Sequence, residues 1–77
     1  MQTPMLGSWT VTVRAVRPFL IHGDLYYELH VVRAEGPPDQ VAILRVPQHA
    51  APQAPQEGQT LEVTFLMGQV TGTKVVS

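Results

Sequence analysis

From Trp9 to Val16 the chain reads Trp-Thr-Val-Thr-Val-Arg-Ala-Val, apolar and polar in turn, so that Trp9, Val11, Val13 and Ala15 fall on one side of an extended ribbon. A period of two is the signature of a half-buried β-strand. The alternation stutters at Val16-Arg17-Pro18-Phe19, where a proline cannot donate to a ladder, and a bend is predicted there before Phe19-Leu20-Ile21 continue the strand. His22-Gly23-Asp24 supplies the reversal, because glycine accepts positive φ at little cost. Leu25 to Arg33 then alternates again, with Leu25, Tyr27, Leu29 and Val31 as the core set and Tyr26, Glu28, His30 and Val32 opposite.

Glu35-Gly36-Pro37-Pro38-Asp39 is a loop, and Val41 to Val46 is the third strand, ended by Pro47. Between Gln48 and Gly58, Pro52 and Pro55 forbid a regular helix beyond a single turn. Thr60 to Met67 reads as the fourth strand, with Leu61, Val63, Phe65 and Met67 together, and Gly68-Gln69 as a two-residue reversal into a fifth strand from Val70 to Val76. No helical periodicity, repeat or charge block interrupts this series.

Five short strands with one apolar face each leave that face wet and both edges open if they stay flat, and closure removes both problems. The predicted fold is therefore all-β: a small five-stranded Greek-key barrel spanning residues 9–77, after an N-terminal extension at 1–8. Trp9-Thr10-Val11-Thr12-Val13, Gly23 followed by Leu25-Tyr26-Tyr27-Glu28-Leu29, and Glu57-Gly58-Gln59-Thr60-Leu61-Glu62-Val63 before the last hairpin carry a layout that resembles the OB fold, the oligonucleotide- or oligosaccharide-binding barrel. The helix usual between strands three and four of that fold is replaced here by the proline-rich loop. An SH3-like barrel is the alternative.

Composition adjusts this picture. With 77 residues the domain has little stability to spare, and with 44% apolar against 14% charged residues some neutral surface faces water, which favours self-association or a partner. Five basic and six acidic side chains leave a formal charge of -1, unlike the basic field of a duplex binder. There is no cysteine, which excludes disulfides and thiolate metal sites. The first eight residues show no signal-peptide pattern and no run of eighteen apolar residues occurs, so a cytoplasmic protein without membrane contact is expected.

Enzyme motifs are lacking: there is no phosphate loop with its lysine, no paired-histidine zinc helix and no nucleophile elbow at Ser8 or Ser77. His22, His30 and His49 have no spacing that converges on a metal, and no cofactor is expected. His30 and Glu28 share a strand face simply because they are two apart. That outer face carries the suggestive group, in which Arg14, Tyr26, His30 and Arg45 stand side by side, with Lys74, Arg17 or Arg33 able to widen it. Cations that track phosphates beside rings that stack bases are how single-strand binders work. A non-enzymatic module that binds single-stranded DNA or RNA weakly is thus one reading, with Arg14, Arg45 and Lys74 on phosphates and Tyr26 and His30 on bases. The plainer reading pairs Arg14 and Arg45 with Glu28 or Glu62 across strands. The competing function is a protein-interaction or self-assembly module, suggested by Val32, Leu44, Leu66 and Val75 on the nominal outer face. Trp9 reads as a core anchor, and the 48–58 loop as a spacer or a partner-binding arm.

Overall fold

The computed structural model describes residues 5–77, and within them the chain is nearly all β. Strands β1 (Leu6–Ile21), β2 (Asp24–Arg33), β3 (Val41–Pro47), β4 (Thr60–Leu66) and β5 (Gln69–Val75) form one antiparallel sheet, with a single 3-10 turn at Gln48–Ala50. The spatial order is β3-β2-β1-β4-β5. Three consecutive strands followed by a fourth that returns beside the first is the Greek-key arrangement. The two outer strands, β3 and β5, come back into contact, so the sheet is curled into a barrel-like body, although no ladder joins them among the described residues. Its radius of gyration, 11.4 Å, matches the ~11.5 Å expected for a folded chain of this length.

Every strand of the core contributes alternate residues: Trp9, Val11 and Val13; Leu29 and Val31; Ala42, Leu44 and Val46; Leu61, Val63 and Phe65; and Val70. Trp9 meets Phe65 edge-to-face at 5.2 Å, which is the anchoring role its alternation implies. Ala50 and Ala51 are also buried, and the Thr73 hydroxyl donates to the Ala50 carbonyl at 2.9 Å, which ties the 3-10 turn to β5. The single turn allowed by Pro52 and Pro55 is thus part of the core lid, and no polar side chain is buried among the described residues.

Four expectations change. The sheet starts at Leu6, whose partner is Leu66, so Leu6, Gly7 and Ser8 belong to β1 rather than to an extension; residues 1–4 lie outside the described residues. The irregularity in β1 falls at Arg14, between the pairs Val13↔Val31 and Ala15↔His30, and not at Pro18, which keeps its place opposite Tyr27. An extra residue in one strand flips every later side chain, so Ala15 turns outward and Val16 packs against the core. Leu44 is a core residue, because Ala42, Leu44 and Val46 point in while Val41, Ile43 and Arg45 point out; Val32 is buried as well, whereas Leu66 and Val75 are exposed. Finally, the last reversal is Met67-Gly68, with φ of 54° and 77°, so Met67 is 74% exposed rather than part of the Phe65 face. Positive φ at both central positions is the type I′ signature, repeated at His22 (50°) and Gly23 (85°).

Candidate nucleic-acid interface

The flip at Arg14 builds the outer face of β1, β2 and β3. Beyond it, three rows cross the strands in register: Ala15, His30 and Ile43; Arg17, Glu28 and Arg45; Phe19, Tyr26 and Pro47. Side chains directly opposite on antiparallel strands lie within reach of one another. In the third row the Phe19 and Tyr26 rings stack, with centroids 5.7 Å apart and planes 22° from parallel. The Arg45 guanidinium carbon lies 5.6 Å from the Phe19 ring centroid, in cation–π range. A cation and two stacked rings therefore form one unit drawn from three strands.

This unit opens onto a cleft of about 670 Å³. One wall is the β2–β3 face, with Tyr26, Glu28, Ile43 and Arg45; the other is the start of β5, with Gln69 and Thr71. Buried Leu44, Phe65 and Val70 reach its floor. Ile21 and Gly68, from the two type I′ turns, and His49 of the 3-10 turn also line it. A second register shift, between Thr64↔Gly72 and Phe65↔Val70, leaves Thr71 as the extra residue at the cleft wall. Bulges commonly sit beside binding sites, where they re-aim a side chain.

Of the residues proposed from sequence, Tyr26 and Arg45 line the cleft together. His30 shares their face, one row from Arg45 and two from Tyr26, beside Ile43, and its Nε2 lies 3.4 Å from Glu28 Oε1. Arg14 is exposed at the bulge, where the Val13 backbone bonds to Gly58 and Gln59, and it does not line the cleft. Lys74 is exposed on β5 opposite Glu62, also away from the cleft lining. Arg17 falls on the outer face of β1, in the middle row, while Arg33 is occupied over the Trp9 ring at 4.5 Å. The cross-strand pairs suggested for the arginines do not form: among the described residues the one carboxylate contact of this kind is Glu28 with the His30 ring nitrogen.

Phe19 and Glu28 are the members that reading the chain did not assign to the interface. Unbroken alternation from Trp9 sends Phe19 inward, and only the extra residue at Arg14 turns it out. The signal was present, since the same unbroken phase would also have buried Arg17, an arginine with no partner. Among the described residues no group of three or more histidines, aspartates or glutamates gathers as a metal site, and no helix is long and apolar enough to cross a membrane. No protein-family model, curated protein or solved structure matches the chain.

Proposed function

We propose that this protein is a non-enzymatic OB-like module that binds single-stranded DNA or RNA weakly along the cleft. The observation that carries the reading is the Phe19–Tyr26 stack with Arg45 above it, on the face of β2 and β3 that ends at the two tight turns. In OB folds, oligonucleotides occupy the face of strands two and three between the first and last hairpin loops, which is where this cleft lies. The strand order β3-β2-β1-β4-β5, with β3 and β5 brought together, is what such a barrel requires before its final closure. Tyr26 stacks a base, held in place by Phe19 behind it; Arg45 meets the backbone, and Arg17 extends the track. Arg14, Lys74 and His30 stand further out, where they add charge or contact to a longer strand.

Each stacked base contributes about 1–3 kcal/mol, and a single strand crossing about three cations loses affinity with salt at a log–log slope near -2. Fluorescence anisotropy with a labelled oligothymidine dodecamer tests this at low salt. Saturable binding with that slope is the expected result, and no binding at any protein concentration reached removes the proposal.

One observation favours a second reading, self-assembly. Leu6 and Leu66 face each other across β1 and β4, 69% and 51% exposed, and Met5 and Met67 adjoin them, the Gly68 N–H donating to the Met5 carbonyl. Four large apolar side chains at one end of a weakly charged body make a sticky patch. Light scattering across a concentration series is the check: a mass that stays at one chain sinks this alternative.

A further inference from the structure

A surface that follows phosphates should be free of carboxylates, yet Glu28 stands in the middle row of this one, between Arg17 on β1 and Arg45 on β3. It lines the cleft next to Tyr26 and Arg45, and its side chain is 28% exposed. Neither arginine neutralises it. Among the described residues its one side-chain partner is the His30 ring nitrogen, at 3.4 Å from Oε1, while Arg45 is turned over Phe19 instead. The other carboxylate oxygen, Oε2, has no protein partner among the described residues.

An ionised carboxylate accepts hydrogen bonds and donates none, so a base beside it is favoured by the donors on its edge. Guanine offers two neighbouring donors, N1–H and the N2 amino group, which match the two lone-pair directions of a carboxylate as a fork. Cytosine and adenine offer one amino group each. Thymine and uracil offer a single N3–H flanked by two carbonyl oxygens, which face the carboxylate with like partial charge. Resting on the single-strand reading above, we propose that Glu28 reads the edge of the base stacked on Tyr26, favouring guanine about fivefold or more over thymine or uracil. The carboxylate thus gives base preference to a surface whose rings and cations have none of their own, since stacking is tolerant of sequence.

The test compares four measurements by anisotropy at one low salt concentration: the wild-type protein and Glu28→Gln, each with an oligothymidine dodecamer and with that dodecamer carrying two central guanines. The expected result is binding of both oligonucleotides by the wild type, with the guanine-bearing strand held about fivefold or more tighter, the lower end of what a bidentate base contact delivers. Glu28→Gln is expected to shrink that ratio toward one while holding oligothymidine at least as well, because a negative charge has left the phosphate track. Equal wild-type affinities for the two strands overturn the inference and leave the single-strand reading standing. So does a guanine preference that survives in Glu28→Gln. If neither strand binds, the reading beneath it fails as well. The wild-type comparison needs no variant, so a folding defect in Glu28→Gln cannot rescue the idea.

Discussion

Tyr26 is held from behind and open in front. Phe19 stacks on it, Arg45 caps Phe19, and the cleft begins at its ring. Tyr26→Ala is expected to weaken oligonucleotide binding by about 1–3 kcal/mol, five- to 150-fold, as one lost stack. The stack with Phe19 is itself worth only about 0.5–1.5 kcal/mol of stability beyond area, so the variant still folds. Phe65 lies at the opposite extreme. It is 2% exposed, packs on Trp9 and reaches the cleft floor, so Phe65→Ala removes a core wall and opens the site from below. A loss of about 3–5 kcal/mol is expected by urea denaturation. Against the roughly 5–15 kcal/mol that holds a typical domain together, that is a large share of the total and moves the urea midpoint well down.

At the scale of elements, the two type I′ turns set hairpin register, and each brings a residue, Ile21 or Gly68, to the cleft lining. In each the second position is glycine, but the first is a residue that pays for positive φ: His22 at 50° and Met67 at 54°. Asparagine is favoured there, so His22→Asn, creating Asn-Gly, is expected to raise stability by up to about 1 kcal/mol in thermal denaturation. A loss of stability would mean that His22 makes a contact beyond the turn. The same elements show what the chain discloses locally. The strands, the His22-Gly23 reversal and the Trp9 anchor follow from period two and from glycine. The bulge at Arg14 does not, since no glycine or proline marks it. Its cause is tertiary: β1 is long enough to pair with β4 through its first half and β2 through most of its length, and the Val13 backbone is bound by Gly58 and Gln59. Once that extra residue is missed, Phe19 is sent to the wrong side and the ring that backs Tyr26 drops out of the interface. The reversal at Met67-Gly68 is displaced for a similar reason, because Val70 must face inward opposite Phe65, and the shift at Thr71 absorbs the remaining residue.

For the whole molecule the decisive feature is curvature. A sheet ordered β3-β2-β1-β4-β5 whose end strands meet buries one face and leaves the other as a surface wrapped around it, and the cleft is where β3 and β5 face each other. Net charge of -1 cannot pull nucleic acid from a distance, so the proposed binding would depend on a few cations acting at close range. Arg45→Ala should accordingly make the salt slope shallower by about 0.7, the share of one phosphate contact on a single strand. An unchanged slope would place Arg45 outside the phosphate track. The exposed Leu66 and Met67 belong to the proposed assembly patch: Leu66→Lys is expected to remove any concentration-dependent rise in mass seen by light scattering, and a rise that persists would move the contact elsewhere.

The most direct measurement is a nitrogen-15 NMR titration of the protein with a single-stranded oligonucleotide at low salt. Shift changes should gather on Phe19, Tyr26, Glu28, Arg45 and Gln69 and leave Glu62 on β4 nearly still. No change anywhere, or changes centred on the Leu6 and Leu66 end, would contradict the cleft as the binding surface.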